Sequence, residues 1–524
     1  MTVYILNFYM FALLFTKTRH RVALMKEFTE MNPNPLVQYL NKPAEEFTRQ
    51  DIMKYAEDNN IEMINFRYVG WDGRLKTLNF IISSREHLET ILTMGERVDG
   101  SSLFSFIEAG SSDLYIIPKY RTAFLNPFTE IPTLDIICSY FNKDGEPLES
   151  SPEYILRKAD RALKESTGYE LQAMGELEYY VISPKEDLYM AEDQRGYHES
   201  TPFTKWEHLR AEAMQAIAHA GGQIKYGHSE VGNFEVGDLM YEQNEIEFLP
   251  CPLESAAEQL LIAKWMLRTL AYKYGVRVSF APKITLGKAG SGLHIHTRLM
   301  KNGKNVMIEK GRLSDTAKKM IAGFLDLSPS LTSFGNINPT SYFRLVPNQE
   351  APTNICWGDR NRSVLVRVPL GWTGNVNMVH MANPLEDAPE NSFYEKQTVE
   401  YRGADGTADI YLLMAGLAVA ARHGLEMKDA LKYAERTYID VNIFKEGYNE
   451  RKKTLSQLPV SCWESAEALE RQKPIYLKSG IFSEGTINWI IGYLKSFNDK
   501  NLRRDIGQNE EEIMKLVQQY FHCG

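Results

Sequence analysis

The chain has 524 residues, 44% of them hydrophobic, enough to bury large cores in about two to four domains. Lys and Arg total 59 against 68 Asp and Glu, a net charge of −9, which excludes the basic surface of a general nucleic-acid binder. The five cysteines, Cys138, Cys251, Cys356, Cys462 and Cys523, show no CxxC spacing and read as reduced thiols of a cytoplasmic protein.

In chain order, Val3 to Phe15 is nearly all apolar and is followed by Lys17, Arg19 and Arg21. It is short for a bilayer span and lacks the basic start and cleavage site of a signal peptide. Residues 1–25 therefore read as an extension ahead of a start at Met25, with a membrane-surface anchor as the sharper alternative. No other segment reads as transmembrane, and no membrane partner is expected.

Residues 48–60 predict a helix with a polar N-cap, and 61–82 predict two strands around the turn Trp71-Asp72-Gly73. With the strand-like run 112–118 they predict a small α+β domain over 26–151, closed by Ser150-Ser151-Pro152. Beyond it, helices at 153–166, 206–220 and 254–274 alternate with strands at 176–182 and 244–249, predicting a large mixed domain over 152–524. From about residue 407 the pattern turns to buried helix, and Glu510, Glu511 and Glu512 open an amphipathic C-terminal helix.

Four short β-prone runs carry ionisable side chains at i and i+2: Glu176/Glu178, Glu245/Glu247, His294/His296 and Glu400/Arg402. Alternate residues of a strand share a face, so each pair can project from one wall of a sheet. Four such walls around one cavity suit divalent cations and phosphate. A single pair of close carboxylates is more simply a solvated face, and Glu235 and Glu242, in loop-like sequence, default to solvent.

Gly287, Gly290 and Gly292 precede the histidine pair and allow close approach of backbone to a ligand, but their spacing matches neither the P-loop nor the dinucleotide fingerprint. Arg367 lies in an apolar run and requires a buried partner or bound anion. Its parity differs from that of Arg362, so a bulge or loop before Ser363 is needed if both serve one site. Glu350, between Pro347 and Pro352, reads as a surface loop or a gating flap, and Asp99 as a turn residue. Cys356 reads as a buried small apolar side chain.

Taken together, VDGSS, GELEYYV, QNEIEF, GSGLHIH, NPTSYFRLVP, EAPTNICWGDRNRS and VEYRGAD, in that order, resemble blocks of the type I glutamine synthetase family. The resemblance implies an α+β protein: an N-terminal β-grasp domain and a catalytic domain whose curved antiparallel sheet forms an open barrel-like funnel flanked by helices. It also implies a homo-oligomer of stacked rings with active sites between subunits.

Carried over by position, Glu178, Glu230 and Glu245 resemble the ligands of one metal, and Glu176, His294 and Glu400 those of the other. Carboxylates with one imidazole suit Mg²⁺ or Mn²⁺. The implied activity joins L-glutamate to ammonia through γ-glutamyl phosphate, with ATP as co-substrate. His296 and Arg367 resemble the nucleotide-phosphate contacts, and Arg362 the guanidinium facing the transferring phosphoryl group. Arg344 and Arg402 would hold glutamate carboxylates, with the Gly290 backbone near the amino group. Asp99 from a neighbouring subunit would bind ammonium and take its proton, Tyr197 would line the ammonium pocket, and Glu350 would close over the acyl phosphate. Glu247 receives no role.

The chain departs from the family pattern in four places. The Glu230–Glu245 spacing is long, implying an inserted loop; Ala289 replaces an asparagine, Lys225 an acidic residue near the nucleotide, and Arg298 a serine. The tyrosine adenylylated in some bacterial members aligns near Ser456, so that regulation is not expected. These departures carry the rival expectation of a γ-glutamyl-amine ligase using a polyamine or other amine. A non-catalytic, ring-forming regulatory homologue is the third expectation.

Overall fold

The computed structural model describes residues 30–104, 107, 112–346, 351–369, 377–386, 393–440, 455–507 and 509–524. The apolar run Val3–Phe15, the start at Met25 and the flap residue Glu350 lie outside them. Two compact units emerge, the first formed by the described residues up to Trp71 with Leu75–Pro147 and Gln215–Gly222, the second by Asp72–Arg74, Leu148–Met214 and Gln223–Gly524.

In the first unit, Thr48 caps the helix Arg49–Asp58 in a reciprocal capping box with Asp51. Six strands follow: β1 (Met63–Val69), β2 (Leu75–Ile81), β3 (Glu96–Asp99), β4 (Asp113–Pro118), β5 (Phe124–Leu125) and β6 (Thr133–Phe141). They form one sheet in the order β2-β1-β6-β4-β3, with β5 beside β6. The β1–β6 pair is parallel and its neighbours antiparallel. Helix Arg85–Met94 connects β2 to β3 and buries Leu88, Ile91 and Leu92. This is the expected β-grasp arrangement. Thr48→Ala removes the side-chain cap while leaving the helix sequence intact; about 1 kcal/mol of stability should be lost, read as a lower denaturation midpoint at unchanged slope.

The second unit is built on β7 (Glu170–Pro184), β8 (Ile224–Val236), β9 (Leu239–Phe248), β10 (Cys251–Pro252), β11 (Arg277–Ser279), β12 (Leu293–Lys301) and β13 (Lys304–Asn305). The short strands β14 (Ile308–Glu309) and β15 (Arg312–Leu313) form a separate ribbon, and β16 (Trp357–Asp359), β17 (Val366–Val368) and β18 (Val399–Tyr401) complete the main sheet. Its order is β16-β17-β18-β12-β7-β9-β8, with β10 and β11 on β7 and β13 on β12, and all pairs but β16–β17 antiparallel. The sheet curls into an open half-barrel.

Alternation along β7 divides its two faces. Ala173, Gly175, Leu177 and Tyr179 alternate with Met174, Glu176 and Glu178, and a Cβ at Gly175 would lie 2.8 Å from Leu260 of the helix Leu253–Lys273. That helix therefore packs against the backbone of β7, leaving the carboxylate face to the funnel. The sequence-predicted buried helix is Ile410–Glu426, which with Asp315–Gly335 forms a close pair: a Cβ at Gly323 would meet the Ala420 carbonyl oxygen at 2.0 Å. No helix among the described residues is by itself long and apolar enough to cross a membrane.

Two local expectations need correction. The long Glu230–Glu245 spacing is not an inserted loop, because the extra residues extend β8 and β9 as a hairpin with a register shift between Ser229 and Asn233. Glu235 and Glu242 consequently lie on strands. Glu242 is buried rather than solvated, accepting hydrogen bonds from Thr204 Oγ1 at 2.5 Å and the amides of Lys205 and Trp206 at 2.7 and 3.1 Å. Glu235 stays partly exposed and pairs with Lys185 at 2.6 Å.

Candidate active site and metal centre

Strand register assembles the site. One cross-strand row contains His228 of β8, Glu245 of β9 and Glu178 of β7. The next contains Tyr226, Glu247, Glu176 and His294 from β8, β9, β7 and β12. A third contains His296, Glu400 and Arg367 from β12, β18 and β17. Cross-strand partners lie about 4.5–5.5 Å apart, so three rows two residues apart make one continuous acidic and basic patch.

Glu176, Glu178, Glu245, Glu247, His294, His296 and Glu400 are all buried. Glu176 joins both histidines, with Oε2 2.9 Å from His294 Nδ1 and Oε1 2.7 Å from His296 Nε2. Glu400, fully buried, accepts from Arg367 Nη1 at 2.9 Å and Arg402 Nε at 3.0 Å, and its Oε1 lies 3.5 Å from His294 Nδ1. The apolar run around Arg367 thus encloses a carboxylate partner. Arg362 falls in the loop between β16 and β17, and its carbonyl accepts from Arg402.

Glu178 is fixed from the glycine-rich loop: its Oε2 accepts from the Gly292 amide at 2.7 Å and from Gln243 Nε2 at 3.1 Å. The same Gln243 amide donates to the Gly290 carbonyl at 3.0 Å. Arg344 donates to the Ala404 carbonyl at 3.1 Å, and its Nη2 lies 3.3 Å from His294 Nε2. The two guanidiniums expected to hold glutamate therefore border the histidine and Glu400 directly.

Electrostatics follow from this crowding. Burial, reinforced by Glu176, Glu178, Glu230 and Glu247, pushes the Glu245 carboxyl well above its usual range. Burial also opposes ionisation of Glu176, but His296 and His294 outweigh it and hold that carboxyl well below the usual range. His296 shows the complement: burial disfavours its charge, while Glu176, Glu400 and Glu247 raise it. Such a concentration of buried carboxylates fits divalent cations, with oxygen donors predominating. Potential ligand atoms converge within 4.8 Å in three groups: Glu176, His296 and Glu400; His228, Glu230 and Glu245; and Glu176, Glu245 and Glu247. The predicted donors thus share one patch, although the groups contain His296 and His228 where the resemblance implies His294 and Glu178.

Two members of the patch receive no role from the family resemblance. Glu247 is buried, ion-paired to Lys225 and grouped with Glu176 and Glu245. Its i,i+2 spacing from Glu245 is the available signal. His228 stands two residues before Glu230 in GHSEV and is a fifth pair of the same kind. Its ring packs in a cluster: centroids lie 4.3 Å from His198 and 5.6 Å from Tyr197, and Tyr197 stacks on His198 at 4.2 Å. Burial pushes the His228 imidazole pKa down. Tyr197 itself is 46% exposed.

Asp99 belongs to the first unit, where it caps the turn Gly100–Leu103 and accepts from Ser101 N at 3.0 Å, Ser101 Oγ at 2.7 Å and Ser102 Oγ at 2.7 Å. Hydrogen bonds from Ser102 and Ser101 lower its pKa to about 2. Cys356, fully buried, has its thiol pushed up to about 12 by burial, consistent with a packing residue.

Comparison with known proteins agrees with this architecture. Residues 60–143 match the glutamine synthetase β-grasp domain and 149–512 the glutamine synthetase catalytic domain. Glutamine synthetase of Clostridium saccharobutylicum is 27% identical over 436 residues, covering 82% of this chain and 90% of the relative. That of Mycolicibacterium smegmatis is 28% identical over 488 residues, covering 86% and 95%. Among solved structures, Plasmodium falciparum glutamine synthetase superimposes with a TM-score of 0.69 at 20% identity, covering 86% of this chain and 96% of that one. GmaS without ligand gives 0.69 at 17% identity, covering 88% and 99%. With both domain models matched in order across most of its length, this chain belongs to the glutamine synthetase family.

Proposed function

We propose that the protein ligates L-glutamate to ammonia at the expense of ATP, forming L-glutamine. The observation that carries the reading is the convergence of buried carboxylates and two histidines on adjacent strands of one sheet, bordered by Arg367 of β17, Arg402 just past β18 and Arg344 at the end of the helix Ser341–Arg344. The glutamate γ-carboxylate oxygen attacks the γ-phosphorus of ATP, the bond to ADP breaks, and γ-glutamyl phosphate forms. Ammonia nitrogen then attacks the acyl carbon and expels phosphate, losing one proton to a base.

In this proposal Glu178, Glu230 and Glu245 hold one Mg²⁺ or Mn²⁺, and Glu176, His294 and Glu400 the other. When bound, the ions would offset the negative charge of glutamate and of the ATP phosphates. Arg344 and Arg402 fix the glutamate carboxylates, with the Gly290 backbone beside the amino group. His296 and Arg367 orient the nucleotide phosphates, and Arg362 stabilises the phosphoryl group in transfer. Glu350 excludes water from the acyl phosphate. Asp99, contributed by a neighbouring subunit of a ring-shaped homo-oligomer, holds ammonium; a carboxylate with pKa about 2 remains ionised and suits cation binding better than proton uptake. The β-grasp domain over 26–151 and the catalytic domain over 152–524 complete this reading, with a cytoplasmic location and no nucleic-acid or membrane partner.

A second acceptor is favoured by one observation. The rings of Tyr197, His198 and His228, with the exposed Tyr226 beside them, offer aromatic surface next to Glu230 and Glu245. Aromatic faces and carboxylates together bind organic ammonium groups. Phosphate release from ATP with glutamate should be measured with ammonium and with a panel of alkylamines and polyamines. A kcat/KM for ammonium at least about 10-fold above every amine, a difference of about 1.4 kcal/mol, is expected; the reverse order would replace glutamine synthesis by γ-glutamyl-amine synthesis.

A further inference from the structure

We propose that His228 is itself a metal ligand, adding a nitrogen donor to the ion held by Glu230 and Glu245; the inference rests on the metal-dependent reading above. His228 and Glu245 are direct partners across the β8–β9 ladder, and Nε2 lies 3.3 Å from Glu245 Oε1. Glu230 follows two residues later, inside the register shift between Ser229 and Asn233, and the three potential ligand atoms lie within 4.8 Å of one another. A bulge at this point re-aims the strand and brings Glu230 toward the same cation position.

The other ring nitrogen fixes the tautomer. Nδ1 stands 3.1 Å from the Ser229 carbonyl oxygen, so Nδ1–H donates there and the Nε2 lone pair faces Glu245. A histidine that gives one N–H to a backbone carbonyl and directs its other nitrogen at carboxylates has the arrangement of a metal ligand with its outer support. Two lone pairs 3.3 Å apart require a positive species between them, either a proton or a metal ion. Packing against the His198 ring, 4.3 Å away between centroids and tilted by 46°, restricts ring rotation and pre-positions the donor. Glu178, by contrast, already commits Oε2 to Gly292 and Gln243.

An imidazole donor favours later divalent ions over Mg²⁺, so this site should select Mn²⁺ or Co²⁺. The test is calorimetric titration of chelator-stripped full-length protein with Mn²⁺ and, separately, Mg²⁺. Wild type should bind two Mn²⁺ per chain. His228→Ala and His228→Phe should each weaken one Mn²⁺ site by about 10- to 100-fold, leave the other in place and narrow the Mn²⁺/Mg²⁺ ratio at the affected site. The phenylalanine keeps the ring packing, so it separates metal donation from packing if the alanine variant folds poorly. Two unaltered Mn²⁺ sites in the phenylalanine variant, or equal weakening of both, would overturn the assignment while sparing the metal-dependent reading. A wild-type protein that binds no Mn²⁺ would overturn both.

Discussion

Glu400→Gln is expected to lower turnover by at least about 10³-fold while leaving the protein's size in solution unchanged. Glu400 is fully buried, receives hydrogen bonds from Arg367 and Arg402, and faces His294. Glutamine preserves volume, so packing around β18 is retained. What changes is charge and donor direction: the amide nitrogen must face a guanidinium that can only donate, and the negative charge between two arginines disappears. Arg367 retains 23% side-chain exposure, so water can take over part of its hydrogen bonding, whereas Arg402 at 9% has less recourse. The consequence for catalysis is twofold, since one proposed metal ligand is lost and both arginines are released from their set positions. Steady-state rates, Mn²⁺ titration and size-exclusion elution measured on one preparation check this. A variant within about tenfold of wild-type turnover would remove Glu400 from the metal site.

The legible part of the site is its periodicity. Glu176/Glu178 and His294/His296 lie on strands, where alternation alone puts both members of a pair on one face, and Glu400 lies on β18 with Arg402 one residue past its end. What alternation cannot give is register, which depends on strands far apart in the chain. Only pairing of Glu176 with both His294 and Glu247 shows that Glu247 belongs inside the patch rather than on a solvated edge. Glu242 illustrates the same limit differently: its burial comes from Thr204, Lys205 and Trp206, almost forty positions upstream by chain order. His228 escaped because GHSEV carries a glycine before the pair and a serine inside it rather than strand-forming residues; the structure makes it strand, with a register shift beyond Ser229. Family resemblance implies roles for residues whose local sequence supports only bland readings, Asp99 above all, which caps a turn within its own unit.

The glycine-rich loop carries the second large effect. Gly292→Ala should produce a folded protein with kcat/KM for glutamate reduced by about 10²- to 10³-fold. Gly292 does not adopt a positive φ, so its backbone alone tolerates alanine; space is the constraint. An added Cβ would lie 2.5 Å from Arg344 Nη2 and 2.7 Å from His294 Nε2. The long arginine side chain can swing aside, which limits the loss of stability, but it is the proposed glutamate-carboxylate contact. If the histidine moves instead, Glu176 and Glu400 lose a neighbour now at 2.9 and 3.5 Å. The Gly292 amide would still reach Glu178, so damage should fall first on glutamate binding. Gly290→Ala makes a contrasting variant: its Cβ would meet the backbone oxygen of Pro282 at 2.6 Å, and backbone cannot yield as a side-chain tip does. Thermal unfolding should therefore separate the two, with Gly292→Ala close to wild type and Gly290→Ala clearly destabilised. Full activity in Gly292→Ala would mean that neither Arg344 nor His294 acts where the glycine leaves room for them.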